Sequence, residues 1–312
     1  MHLSSIQQNR AIGAILGSAA GDALGAPYEF HPSIGPDAPV RMHAGGPWEL
    51  GEWTDDTSMA LPILWALAEG RSLEDEQTLD RIVATWADWA RDAKDVGIQT
   101  RQILATARTA ADARSATRAL HEVTGRTAGN GSLMRTGPVA LGYLDASDQV
   151  LADAARRLSD LTHADPEAGD ACVLWSLAIR RAILDGELDL RASLTQLPAR
   201  RLDLWSGRIA AAEAHMPWEF ANNGWVVAAM QAAWSAIVHA EGLQQRLEMA
   251  VRAGDDTDTV AAIAGSLAGA VDGASAVPGE WHRHLHGWAG AATGAARDLE
   301  SWARSAVAQS GE

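Results

Sequence analysis

Apolar residues recur at three- and four-residue spacing along almost the whole chain, and no stretch alternates strictly enough to read as a strand. Ile6 to Leu24 reads as one helix, with Ile12, Ile15, Leu16 and Ala19 on one face. Gly13, Gly17 and Gly21 return at every fourth position within it, a spacing that lets a second helix approach closely in a packed core. Further helices are predicted over 57–69, 74–93, 97–112, 147–162, 166–185, 199–215, 223–239, 241–253, 258–272 and 287–308. Asp145, Ser147 and the Pro166-Glu167 pair mark helix starts, and Gly186 and Gly242 mark stops or bends. Residues 27–53 break the pattern with Pro27, Pro32, Pro36, Pro39, Gly45, Gly46 and Pro47. A loop of that length inside a helical chain is the usual form of a lid or a binding segment. With no low-complexity linker, compositional shift or clear repeat, the expectation is all-α: one compact multi-helix domain over residues 1–312.

Composition sharpens that reading. Hydrophobic residues make up 47% of the chain, yet Phe and Tyr supply two each, which favours helix over sheet and leaves thirteen Trp to provide bulk. A net charge of −15 with no basic stripe argues against nucleic acid as a partner. No uncharged stretch approaches the roughly 20 residues that span a bilayer, and no cationic leader precedes an apolar run, so a cytoplasmic protein off the membrane is expected. Cys172 is the single cysteine, expected as a buried helical thiol rather than a disulfide partner or metal ligand.

The chemistry lies in two acidic clusters far apart in the chain. Thr54-Asp55-Asp56-Thr57 and Asp255-Asp256-Thr257-Asp258-Thr259 each crowd carboxylates and hydroxyls together and then open an apolar helix. A helix start needs one such residue as an N-cap, and that is the plain reading of either cluster alone. Two of them, if brought together, instead make a site for hard divalent cations, because crowded carboxylates repel and need compensation. Gly129-Asn130-Gly131-Ser132 is either a plain turn or a cradle whose backbone amides converge on an anion. His163 falls between two helical patterns, where a capping role competes with a ligand-contacting one. His282, His284 and His286 have a spacing that keeps them off one helical face, so a solvated segment is expected rather than a metal cluster.

Taken in order, these segments resemble the ADP-ribosylglycohydrolase family. The resemblance is carried by Gly17-Ser18-Ala19-Ala20-Gly21-Asp22-Ala23-Leu24-Gly25 with Glu29 after it, and by Trp53-Thr54-Asp55-Asp56-Thr57. It continues through Gly129-Asn130-Gly131-Ser132-Leu133-Met134-Arg135, Thr162-His163 and Gly224-Trp225-Val226, and ends in Gly254 to Gly265. It implies an all-helical fold holding two divalent cations, Mg²⁺ or Mn²⁺, between helices. Thr54, Asp55, Asp56, Asp256, Asp258 and Thr259 would ligate them, with Asp22 as a supporting or capping residue. Asp255 stands where such proteins usually carry glycine or another small residue. The implied substrate group is the ADP-ribose moiety of a modified protein or small molecule. Gly129, Asn130, Gly131, Ser132 and His163 would lie near its phosphates and distal ribose, and Trp225 would offer a stacking surface for adenine. Glu29 and Asp56 would be catalytic in hydrolysis of the glycosidic bond to protein arginine. Alternatives within the same resemblance are a serine-linked ADP-ribose, an ADP-ribose polymer, a small ADP-ribose metabolite, or a regulator that binds without turnover. One departure bears on arginine: Thr127 stands where several arginine-specific members have an acidic residue ahead of Ala128.

Overall fold

The computed structural model describes residues 2–36, 38–292 and 294–310. Its α-helices are α1 (Ser5–Gly25), α2 (Asp55–Ala68), α3 (Glu76–Trp89), α4 (Ile98–Leu104), α5 (Ala110–Thr124), α6 (Val139–Gly142) and α7 (Asp148–Ser159). They continue as α8 (Pro166–Asp185), α9 (Ala199–Ala214), α10 (Val226–Val238), α11 (Gly242–Val251), α12 (Thr257–Asp272), α13 (Gly279–His284) and α14 (Ala296–Gln309). Among the described residues extended backbone pairs only as isolated bridges, so the fold is a single compact helical domain without a sheet.

α1 and α12 form its spine. The chain enters α1 through a capping box in which the Gln7 amide donates to Ser4 Oγ (3.2 Å) while Gln7 Oε1 accepts from the Ser4 amide (3.0 Å). The glycine face of α1 then lies directly on α12: Gly13 against Gly269, Gly17 against Gly265, Gly21 against Ala261. The pairing runs in opposite senses along the two helices, so they are antiparallel. A β-carbon at Gly13, Gly17, Gly21, Gly265 or Gly269 would intrude on a backbone carbonyl of the partner helix. Small residues are therefore required there by backbone-to-backbone contact. α8, α10, α11 and α14 pack around the spine, and α2 leans on α14, α3 and α1. Trp175 is buried from α8 and donates to the α12 carbonyl of Ile263 (3.0 Å), while Trp86 of α3 donates to Met59 O of α2 (2.8 Å). The tryptophans thus fill volume and also satisfy backbone oxygens left over at helix crossings.

Several boundaries differ from the periodicity. The 97–112 segment is not one helix: α4 stops at Leu104 and α5 begins after Thr109, whose hydroxyl caps the Asp112 amide (3.1 Å) and whose own amide donates back to Asp112 (3.1 Å). α5 then runs on to Thr124, past the predicted end. The predicted 287–308 helix begins only at Ala296, because Gly290 and Gly294 adopt positive φ (62° each) and His286 leaves helical geometry to pair with the 51–53 backbone. α6 and α13 had no counterpart in the pattern. The 223–239 helix starts at Val226, after a turn at residues 222–225. The described residues of the 27–53 segment are irregular apart from one short 3-10 turn at Ala26–Tyr28. Cys172 is buried, within 3.5 Å of Ser132 Oγ. Among the described residues no helix is long and apolar enough to cross a membrane.

The spine gives a direct test. Gly265→Ala places a methyl group against the Gly17 carbonyl, an overpacking that costs roughly 1–3 kcal/mol. Urea unfolding should show a correspondingly lower midpoint; an unchanged midpoint would mean the two helices are not in backbone contact.

Candidate active site

The antiparallel spine sets one end of α1 beside the start of α12. Gly25 ends α1 against Thr257 and Asp258, and Thr257 Oγ1 donates to Gly25 O (2.9 Å). Asp22 lies one turn earlier and reaches sideways to the start of α2. One of its carboxylate oxygens accepts from the Thr54 amide (2.8 Å); the other accepts from the Thr57 amide (2.9 Å) and hydroxyl (2.6 Å). α2 is therefore capped by a residue of α1, and neither N-cap residue, Thr54 or Asp256, caps its own helix; only Asp258 Oδ1 accepts from a leading amide of its own helix, that of Thr259 (2.9 Å). The two clusters are thus more than N-caps. Freed from capping, the Thr54 hydroxyl lies 3.1 Å from Asp56 Oδ2 and 3.3 Å from Asp258 Oδ2, with one proton to offer two carboxylates. Thr259 Oγ1 is 3.4 Å from the same Asp56 oxygen.

Two groups of oxygens result, each lying within 4.8 Å of one another: Asp22, Asp56 and Asp258, and Glu29, Asp256 and Asp258. Asp258 belongs to both. Asp56 Oδ1 is buried without a hydrogen-bond partner, and among the described residues none of these carboxylates, nor Asp55, takes part in an ion pair. A buried anionic oxygen with nothing to satisfy it, among further oxygens, has the chemistry of a hard-cation site. The electrostatics agree. Asp56 and Asp258 are held well above the usual carboxylate range, first by burial and then by neighbouring carboxylates. Burial and then repulsion from Asp95 and Asp22 push Asp55 up to about 7. Glu29 is pushed up to about 8 by burial, then by Asp256, Asp95, Asp55 and Asp22. Asp22 reaches only about 6, because its hydrogen bonds from Thr57 and Thr54 offset much of its burial.

Backbone geometry holds the other side of the site. The Phe30 amide donates to Asp255 O (2.7 Å) and the Asp255 amide to His31 O (2.9 Å). Phe30 (φ 60°) and Asp255 (φ 55°) are both left-handed, one directly after Glu29 and the other directly before Asp256. That conformation explains why glycine suits position 255, and aspartate is among the few side chains that tolerate it. Asn223 braces the same turn: its side chain accepts from the Asp256 amide (3.1 Å) and donates to Gly254 O (2.8 Å). Asn130 donates to Asp256 Oδ2 (2.8 Å) and Asn223 O (2.9 Å), which joins the glycine loop to the acidic cluster.

That loop rests on His163. A β-carbon on Gly129 would come within 3.2 Å of His163 Nε2, and one on Gly131 within 3.2 Å of Cε1. Thr162 Oγ1 accepts from Arg135 Nη2 (2.7 Å) and shares a hydrogen bond with His163 Nδ1 (2.7 Å). The imidazole is neutral and turns Nε2 towards the loop. Burial, then the Arg135 charge, hold its pKa well below the usual value and keep it so. Arg135 is itself fully buried, stacked 4.1 Å over Trp86, and burial lowers it to about 10.

The structure thus gathers Glu29, Thr54, Asp56, Asp256, Asp258 and Thr259 with Asn130. Gly129, Gly131 and His163 form the adjoining wall, and Ser132 faces the core against Ser159 (3.0 Å). Asp55 stands apart from both oxygen groups. It accepts from the Gly97 amide (3.3 Å) and opens onto a cleft of about 450 Å³. Trp225 is paired in backbone with Gly129, its indole donating to Glu167 Oε2 (3.1 Å) beneath the Arg208 guanidinium (5.6 Å). The three C-terminal histidines form no metal group among the described residues; His282 pairs with Glu300 (2.7 Å) and His286 lies 3.4 Å from Glu49. Sequence reasoning missed Asp95 and Asn223. Asn223, beside Gly224-Trp225, was the more findable; Asp95 is one aspartate in a loop, with no local signal.

Residues 3–311 match the model of the ADP-ribosylglycohydrolase family. The ADP-ribosyl-[dinitrogen reductase] glycohydrolase of Rhodospirillum rubrum is 32% identical over 294 residues, covering 88% of this chain and 89% of that protein. ADP-ribosylarginine hydrolase Tri1 of Pseudomonas putida is 31% identical over 290 residues, covering 88% and 73% respectively. A solved structure described as an ADP-ribosylglycohydrolase-related protein complex superposes with a TM-score of 0.73 at 29% identity, covering 98% of this chain and all of that one.

The carboxyl cluster makes stability depend on pH with a definite sign. Unfolded carboxyls titrate near 4; in the folded protein Asp55 and Glu29 keep their protons up to about 7 and 8. The folded state then binds more protons, so the metal-free protein loses stability as pH rises through that range. His163, with its lowered pKa, acts oppositely but only below about 6.5, which leaves pH 6.5–8 to the carboxyls. Thermal melts in chelator should show Tm falling across this window, and added Mn²⁺ or Mg²⁺ should raise Tm more at pH 8 than at 6.5. Asp56→Asn should raise the chelated Tm at pH 8 and abolish the metal response. A metal-independent Tm, or one rising with pH in chelator, would show that the folded cluster neither retains protons nor takes up a cation.

Proposed function

The chain belongs to the ADP-ribosylglycohydrolase family, hydrolases of ADP-ribose glycosidic bonds, and we propose that it removes ADP-ribose from protein arginine using two divalent cations of the Mg²⁺ or Mn²⁺ type. The arginine reading rests above all on the cleft that opens from Asp55. Its walls carry Asp92 and Asp95, which make no ion pair among the described residues, and Trp53, Trp89 and Trp288. Glu52 also lines it but is neutralised by Lys94 (2.5 Å). Carboxylates with indole faces suit a planar guanidinium, through bidentate hydrogen bonds and cation–π contact. Thr127 does not weigh against this reading, because its side chain is buried and bonded to His121 Nδ1 (2.6 Å). The acidic character comes from the 92–95 loop instead.

Thr54, Asp56, Asp256, Asp258 and Thr259 would hold the cations, with Asp55 at the edge nearest the cleft and Glu29 at the opening. Cations bound there would fix ribose hydroxyls and acidify a bound water or hydroxyl. The chain's own groups do the rest. The amides of Gly129 and Gly131, beside the neutral imidazole of His163, would orient the pyrophosphate without adding a titrating charge, and Asn130, whose amide hydrogens go to Asp256 and Asn223, would hold that loop against the cluster. Glu29 is partly exposed where Asp56 and Asp258 are buried. It is the carboxyl placed to take a proton from an attacking water or to hand one to the leaving nitrogen as the glycosidic bond breaks. The half-buried face of Trp225 would receive adenine.

Incubation with ADP-ribosylated arginine and serine peptides tests the reading. Release of ADP-ribose from arginine in Mg²⁺ or Mn²⁺, and none in chelator, is expected; release from serine alone would overturn the linkage. Glu29→Gln should lower turnover by about 10²–10⁴-fold with little change in ADP-ribose affinity. Unchanged turnover would remove Glu29 from the mechanism.

A further inference from the structure

Two large apolar side chains stand in water beside the acidic cluster, and packing accounts for neither. Phe30 follows Glu29 and is 80% exposed; Ile98 opens α4 and is 89% exposed. The amide before Ile98, that of Gly97, is the one that binds Asp55. Each side chain is thus one residue from a contact with the site, and they arrive on separate elements. Phe30 is the more unusual. It is one of two phenylalanines in the chain, and the other, Phe220, packs against the core. Its φ of 60° is strained for a bulky residue. The backbone pair with Asp255 explains why the conformation is held, and glycine would serve that pair with less strain. Nothing among the described residues explains the phenyl ring.

We propose that Phe30 and Ile98 form an apolar rim that seats the folded surface of the protein carrying the ADP-ribosylated side chain. This rests on the arginine-linked reading above. An arginine side chain is only a few bonds long, so a guanidinium seated in the cleft brings its carrier's surface to the mouth. Apolar contact there recognises the carrier, because the groups at the bond to be broken are polar and charged. A substrate without a carrier protein gains nothing from the rim.

The test compares an ADP-ribosylated protein with free ADP-ribosylarginine as substrates of the full-length enzyme. Phe30→Gly relieves the left-handed strain, so its Tm should not fall, while kcat/KM on the protein substrate drops about tenfold, chiefly through KM. Turnover of free ADP-ribosylarginine should stay within about twofold on the same scale. Ile98→Ser should show the same split with the Phe30 backbone untouched. Equal losses on both substrates would assign the ring to ADP-ribose or to the placement of Glu29, and would overturn the proposal; so would no loss on either. If the wild type releases nothing from arginine, the linkage fails separately, and the same comparison is read on modified serine in protein and free form.

Discussion

The backbone-to-backbone contact of α1 with α12 is the constraint on which the site depends. Because glycines let the two helices touch main chain to main chain, the last turn of α1 and the first turn of α12 are fixed relative to each other with little freedom. Asp22 and Glu29 leave from one side of that junction, Asp256 and Asp258 from the other. α2 has no comparable seam with the spine; Asp22 binds its leading amides and draws Thr54 and Asp56 inward. A packing feature with no chemistry of its own thereby determines where the carboxylates meet.

Bringing them together is unfavourable without compensation. Asp56 and Asp258 are buried among further carboxylates, and both are held well above the usual carboxylate range. In the metal-free molecule the cluster relaxes by holding protons, and that same tension would become affinity for a cation that replaced them. The rest of the site avoids adding to it. His163 is held neutral by burial and then by the Arg135 charge, so the wall beside the cluster adds no charge that changes near neutral pH.

Most of this organisation is legible in the amino acids, for physical reasons that also mark where legibility ends. The Gly13, Gly17 and Gly21 repeat announces close helix contact because nothing else needs glycine at that spacing. The two acidic runs stand out because they exceed what capping requires. The break at residues 105–109 is hidden, since its capping box joins two segments that share a helical period. The late start of α14 is hidden for a related reason: Gly290 and Gly294 act through positive φ, which periodicity does not register. Asp95 is illegible because its importance comes wholly from a loop folding back over α2, and one aspartate there looks like any solvated residue. Asp22 is legible as a supporting residue, yet that it caps a different helix is a fact of tertiary structure.

These distinctions divide the site into two parts with different rigidity. The carboxylate cluster and the glycine loop are tied to α1, α2 and the turns before α10 and α12 by buried and part-buried hydrogen bonds, so on the proposed reading the sugar and phosphate end of a substrate would meet a preformed surface. On the same reading the acceptor end would meet the 27–53 and 92–97 segments, whose bonds among the described residues include exposed ones such as Lys94 to Pro47 O (3.1 Å) and to Glu52. Changes in those loops alter what the leaving group touches without disturbing the seam. A single helical core can therefore keep one bond-cleaving arrangement while the residues that recognise the carrier vary. The strained Phe30–Asp255 pair sits where the two parts join, because there the loop must follow the fixed geometry of Glu29 and Asp256.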